Sequence, residues 1–442
     1  MKRILCFILS LLLCCGVWIH QNLSYTYPDA CRRKMQEETK GNQMLYAAYV
    51  LPDAYSDEAA DKIMRVISDC GINLVWQNDE SYSYEYRMRI LDYAWKYGMQ
   101  SIICLRSYDM DLAENFIQTT LDHPGLYAYA LPDEPAPEIV HEVTPYTNFF
   151  QNAIPENSPV QLLCNLHANY IFGSRFPHYN TDIYSQYVKD FLYLNPVDNV
   201  SFDNYALAVT EDSEQENFNI AVLIENLATI SAQAKRFGID CSGFMQCGTD
   251  DCSLRPLSDG DIRMYMNLYA SFGLNIIHYF VFADTAGIDG AIDWTADLKR
   301  GGVLYERIQD AISRMDALKG VYLDYEWQGF TSRNFTDHMA EVGQYIPEKE
   351  ILLERYGHFT DITSPDNSKV SVGLFRKNSG ATGAYVVNMD YGEESDSAYT
   401  VTFDTICTYK VWDCSGLSQW GRGRSVDVTL EPGDGCFVEI MR

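Results

Sequence analysis

Cationic side chains are scarce in this 442-residue chain: 33 Lys and Arg stand against 61 Asp and Glu, for a formal net charge of −28. A surface of that sign repels polyanions, which argues against nucleic acid as a partner and favours a neutral or cationic ligand. Several motifs are missing as well. No CxxC pair or His/Cys cluster argues for structural zinc, and no strand carries an HxH pair suited to a metal-dependent hydrolase. No Gly-rich phosphate turn follows the first strand, so the usual mark of a dinucleotide-binding sheet is absent. No second apolar span follows the N-terminal one. Nothing in the sequence calls for a metal or a cofactor.

What is present begins with a leader. Residues 1–20, MKRILCFILSLLLCCGVWIH, set Lys2 and Arg3 ahead of an apolar run from Ile4 to Leu13, the layout of a secretory signal. Export is expected, to a secreted, periplasmic or surface-anchored place. The leader is open to cleavage, to lipidation at Cys15 in the loose lipobox LLLCCG, or to retention as a membrane anchor. Residues 21–41 are polar and read as a tether. Most of the cysteines after the leader are expected to be buried small hydrophobes, because a chain of this size needs no disulfide staples. Cys247 and Cys252 flank a short loop across which they could pair, and Cys407, Cys414 and Cys436 lie close together near the C-terminus.

A chain this long exceeds what one core usually supports, so a large domain and a smaller one are expected. From Met44 to about Asp284, short β-branched and aromatic runs alternate with helical-period segments, the pattern of repeated β-α units on a parallel sheet. Eight strands are predicted: Met44 to Leu51, Ile72 to Asn78, Ser101 to Ser107, Leu126 to Leu131, Pro159 to Leu166, Asn199 to Ala206, Cys241 to Cys247 and Asn275 to Phe282. Between the first two, Ser56 caps a helix whose first turn is acidic and which stops at Gly71. Eight such units over this length predict a (β/α)8 barrel, a TIM barrel spanning 42–320 and closing near Leu318. From Tyr322 the texture changes to short alternating stretches separated by Gly, Asp, Asn and Ser. A small C-terminal all-β sandwich over 321–442 is expected, with EPGDGCFVEI as its closing hairpin.

Strand C-termini share one face of such a barrel, and that face carries the active site. Those ends offer Asn78 after strand two, Arg106 after strand three, Asp133 and Glu134 after strand four, and Asn165 and His167 after strand five. Asp203 and Tyr205 follow on strand six, Gln246 on strand seven, and Trp294 beyond strand eight. Acids, amides and aromatics dominate, with Arg106 the one cation. That inventory suits glycoside hydrolysis, where one carboxyl protonates the leaving oxygen, a second acts as nucleophile or base, and aromatic faces stack on sugar rings. It suits phosphoryl transfer poorly. Pro-Asp-Glu-Pro at 132–135 is also ordinary turn chemistry; what lifts it above a plain turn is its place directly after a six-residue apolar strand. His278, inside strand eight, reads as a core histidine.

The run LYAYALPDEP (126–135), with FMQCGTDDCSLRPLSDGDIRMYMNLYASFGLNIIHYFVF, GAIDW and LYERI later in the barrel, resembles the large clan of (β/α)8 glycoside hydrolases that includes the family 42 β-galactosidases and family 5-like enzymes. The resemblance covers most of Met44 to Leu318. In that clan the acid/base glutamate ends strand four, usually as Asn-Glu-Pro, so the resemblance implies Glu134 as general acid/base, with Asp133 where Asn is usual. The substrate it implies is an oligosaccharide or polysaccharide. One departure stands out. The clan's nucleophilic glutamate ends strand seven, where this chain has Phe244-Met245-Gln246. Three outcomes follow: Asp203 serves as nucleophile or base, the 2-substituent of the sugar assists, or an exported protein binds sugar without cleaving it. Asp133, Asn78, Arg106, Asn165, His167, Tyr205, Gln246 and Trp294 are the expected sugar contacts.

Overall fold

The computed structural model describes residues 44–442, except 50, 52, 81, 172–180, 210–212, 251–252, 286–287, 293–301, 336–348 and 393–394. Eight parallel strands close into a barrel in sequence order: β1 (Leu45–Ala48), β2 (Leu74–Gln77), β3 (Gln100–Cys104), β4 (Leu126–Ala130), β5 (Gln161–Leu166), β6 (Asn199–Phe202), β7 (Asp240–Gln246) and β8 (Ile276–Phe280). A helix follows each: α1 (Asp57–Asp69), α2 (Tyr84–Lys96), α3 (Met110–Thr120), α4 (Val140–Ala153), α5 (Thr181–Leu194), α6 (Ser213–Phe237), α7 (Asp259–Ser271) and α8 (Gly302–Tyr322). β1 closes on β8 with Ala47 opposite His278. All eight expected strands are present, somewhat shorter than the apolar runs that announced them. Among the described residues no helix is long and apolar enough to cross a membrane.

Local signals act where they were read. The Ser56 side chain accepts from the Ala59 N–H at 3.1 Å and starts α1, and Gly71 ends the turn after it at φ +95°. A Cβ there would also meet Ile312 of α8 at 2.8 Å, so glycine serves both the turn and the packing.

Along each strand every second side chain points into the barrel. Leu45, Ala47, Leu74, Trp76, Ile102, Cys104, Ala128, Ala130, Leu163, Phe244 and Ile276 fill the interior as one apolar cluster, with Tyr49, Tyr205 and Phe280 packed on it. Continuing that alternation beyond each strand end places Tyr49, Asn78, Arg106, Asn165, Asp203 and Gln246 around the mouth.

The C-terminal part is all-β, and it is one curled antiparallel sheet instead of two packed ones. Its order is β10 (Phe359–Thr363), β13 (Ser397–Asp413), β15 (Gly435–Met441), β12 (Thr382–Asn388), β11 (Val370–Arg376) and β9 (Glu326–Arg333), with β14 (Gly416–Leu430) paired to β13. The long β13 and β14 lose register between Thr402 and Cys407, and such irregularities bend a sheet around its own core. That core includes Val372, Val386, Val401, Val428 and Val438. EPGDG joins β14 to β15, which both pair with β13, so the expected closing hairpin is not formed.

The other sheet face covers α7 and α8. This explains why α7 is buried almost all round instead of along one stripe. Tyr385 donates to Asn267 Oδ1 at 2.8 Å, and Arg314 of α8 reaches Asp434 at 2.9 Å. At Gly373 on β11 a Cβ would lie 1.8 Å from the Ser271 carbonyl oxygen, so only glycine permits this approach. The domain thus packs on the barrel. Cys70, Cys104, Cys164, Cys241, Cys247, Cys407, Cys414 and Cys436 are free thiols, all but Cys414 buried. Cys252 lies outside the described residues.

Candidate functional site

β4 ends in the turn 132–135, where Glu134 takes φ +48°. The other described non-glycine residues at positive φ are Asn334 and Asn367, a residue type that tolerates this region; a glutamate does not, and pays about 1–2 kcal/mol for it. Its N–H donates to the Asn165 carbonyl at 3.0 Å, and Tyr187 donates to the Pro135 carbonyl at 2.7 Å. Two neighbouring elements therefore hold the turn in its strained form. Such outliers concentrate at functional positions.

Three carboxyl groups meet here. The Glu134 carboxyl lies close enough to Asp203 to raise that acid's pKa. Asn165 joins Asp203 to Asp133: its Nδ2 donates to Asp133 Oδ1 at 3.1 Å and to Asp203 Oδ1 at 3.5 Å, while its Oδ1 accepts from Ser201 at 3.0 Å. That last bond fixes which end of the amide faces the acids. On the other side of Glu134, His167 Nδ1 lies 3.3 Å from Oε1. The His167 N–H donates to Tyr187 at 3.4 Å, tying the histidine to the hydroxyl that holds Pro135.

Removal from water disfavours the ionised form of each aspartate. Asp203 is held well above the usual carboxylate range, first by burial and then by the charge of Glu134. Asp133 is raised by burial and by Glu134, against the Asn165 bond and the Arg106 and His167 charges. Acids this close cannot all ionise, so the cluster retains a proton above the pH at which an isolated aspartate loses its own.

Aromatic rings floor the cluster. Tyr49 sits edge-on to Trp76 at 5.5 Å and to Phe244 at 5.2 Å, and Tyr205 stacks on Phe280 at 4.9 Å. Burial raises the Tyr49 phenol's pKa, and the Asp133 charge raises it further. Arg106 is exposed at the rim, close enough to Tyr49, Asp133 and Glu80 to feel their charges. His278 lies below, buried, accepting from Trp76 Nε1 at 3.0 Å and stacked on Phe244 at 4.4 Å. Burial lowers its pKa to about 3, so it is the neutral core histidine expected.

Asp133, Glu134, Asn165, His167 and Asp203 therefore converge, with Tyr205, Asn78 and Arg106 beside them. Gln246 is on the inward face but turns aside: its Nε2 donates to the Arg255 carbonyl at 3.0 Å. Trp294 lies outside the described residues. Sequence reasoning missed Tyr49, Trp76, Ser201 and Phe280. Counting every second residue back along each strand would have found them.

No family model matches the chain, and no curated protein matches it in sequence. Its fold is similar to that of a β-galactosidase from Bacillus circulans sp. alkalophilus, with a TM-score of 0.58 at 9% identity over 91% of this chain and 99% of that one. Lesser overlaps are with a β-galactosidase from the psychrophilic Marinomonas ef1 (TM-score 0.46, 11% identity, 64% of this chain and 61% of that one) and a GH128 endo-β-1,3-glucanase from Sorangium cellulosum (0.39, 14%, 60% and 98%).

Proposed function

We propose that this chain is an exported glycosidase acting on an oligosaccharide or polysaccharide, with Glu134 as the proton donor to the leaving oxygen. The observation that carries this is the strained Glu134 at the end of β4, beside a second, buried acid, Asp203, above an aromatic floor. A general acid must hold its proton near the working pH, and a neighbouring carboxyl in a site shielded from water supports that. The barrel fold shared with the Bacillus circulans β-galactosidase is consistent with this reading.

Asp203 is the candidate second carboxyl, as nucleophile or base. A retaining pair is about 5–5.5 Å apart and an inverting pair about 6.5–9.5 Å, each acid acting on its own side of the scissile bond. Asp203 is buried beside Glu134 and its pKa is raised by burial and by that neighbour, so the pair retains a proton. Asp133, Asn165 and His167 line the same space to bind sugar hydroxyls, and the Tyr49 and Tyr205 rings offer apolar faces.

A second reading, a barrel that binds sugar without cleaving it, rests on Gln246, whose amide ends β7 and turns to a backbone carbonyl. Assay of a glycan panel with paired calorimetry separates the two. Product from the wild type and none from Glu134→Gln supports hydrolysis, whereas binding without product for every ligand supports the second reading.

A further inference from the structure

Far along the chain from the barrel mouth, His358, Asp404 and Cys407 bring an imidazole nitrogen, a carboxylate oxygen and a sulfur to within 4.8 Å of one another. We propose that they form a three-ligand site for a divalent transition metal of the zinc type on the C-terminal sheet.

The backbone makes this cluster against the normal rule of a strand. Successive side chains alternate between faces, so Asp404 and Cys407, three apart, would point to opposite sides of a regular β13. Pairing with β14 is lost between Thr402 and Cys407, and the pairing of β10 with β13 shifts between Phe359 and Asp361. An irregularity of this kind re-aims side chains. It places the Asp404 carboxylate and the Cys407 sulfur together, and the Asp404 N–H donates to the His358 carbonyl at 3.1 Å, which locks the two segments. The Arg424 guanidinium donates to the Asp404 carbonyl at 3.3 Å and fixes that residue from β14.

The donor set selects the ion. Calcium and magnesium take oxygen ligands, whereas one nitrogen, one sulfur and one carboxylate oxygen suit zinc or cobalt in tetrahedral geometry. Metal bonds of about 2.0–2.3 Å put donor atoms roughly 3.3–3.8 Å apart, so the present triangle needs a contraction of about 1.5 Å at most. His358 Nδ1 now lies 2.9 Å from Asp404 Oδ1, and the ion would replace the proton between them. The buried Cys407 forms the floor and releases its thiol proton to solvent on binding. His358 and Asp404 are part-exposed, which leaves the fourth position to water and an entry path from outside.

Cobalt(II) titration of the reduced full chain tests this. One ion per chain is expected, with a thiolate-to-cobalt charge-transfer band that zinc(II) abolishes by displacement. His358→Gln, at an exposed position, should weaken binding at least tenfold while leaving the fold and any glycan turnover unchanged. Cys407→Ser should remove the band. A folded wild-type protein without that band, or equal affinity in His358→Gln, overturns the proposal; the second arm stands even if the buried Cys407 substitution fails to fold. The outcome is independent of what the barrel mouth does.

Discussion

If Asp203 holds the proton of Glu134, then Asp203→Asn should change the pH profile more than the peak rate. In the wild type the neighbouring pair keeps one proton because adjacent carboxylates cannot both ionise at low cost. Two unit charges about 4 Å apart at an effective dielectric of about 20 repel by roughly 4 kcal/mol. The Glu134 side chain is 30% exposed, so solvent screening reduces this to about 1.4–2.8 kcal/mol, and 1.36 kcal/mol corresponds to one pH unit. The asparagine variant lacks the charge. The basic limb of kcat/KM, which reports loss of the acid's proton in the free enzyme, should therefore move to lower pH. Activity should fall about 10- to 100-fold at pH 7 and little near pH 4. The assay is kcat/KM against pH on whichever glycan the panel identifies. A loss of the same size at every pH, restored by azide, would refute the reasoning and make Asp203 the nucleophile.

Four further outcomes follow from the same structure. Because Asp203 and Asp133 are raised by burial, their ionisation opposes folding, and the stability they contribute in acid is lost as pH rises through their folded values; Asp203→Asn and Asp133→Asn should melt above wild type at pH 8 and lose that advantage below about pH 4, read by thermal melting. His278 has the opposite sign. With its pKa lowered to about 3, the folded chain resists protonation that the unfolded chain accepts near 6.5, so denaturant-derived stability should fall between pH 6.5 and 3 by up to about 1.4 kcal/mol per pH unit, and His278→Asn should flatten the slope. At φ +48° the usual order of alanine over glycine reverses, so Glu134→Gly should be more stable than Glu134→Ala by about 1 kcal/mol; an alanine variant of equal or greater stability would count against strain at this turn. Gly373→Ala forces a Cβ onto the Ser271 carbonyl and should cost about 3 kcal/mol or more, seen as a large drop in melting temperature.

The barrel was legible because its strands are buried on both sides and read as apolar runs, each followed by a capped helix such as the one Ser56 begins. The turn that carries Glu134 was legible for the same reason: it follows directly on LYAYAL. Its positive φ was not, since nothing in Pro-Asp-Glu-Pro demands it; the Asn165 carbonyl and Tyr187 impose it from other elements. The link from Asp133 through Asn165 to Asp203 also escaped, because no linear pattern encodes a distance across a barrel. In the C-terminal domain, alternation announced strands but not which pairs with which. The irregularity in β13 decides both the single curled sheet and the grouping of Asp404 with Cys407.

The most direct test of the central claim is product release from a panel of neutral oligosaccharides by the wild type and by Glu134→Gln, with calorimetry on the same ligands. The account predicts turnover of at least one glycan by the wild type and its loss in Glu134→Gln with binding retained. Unchanged turnover in Glu134→Gln, or ligands bound but none cleaved by the wild type, would contradict it.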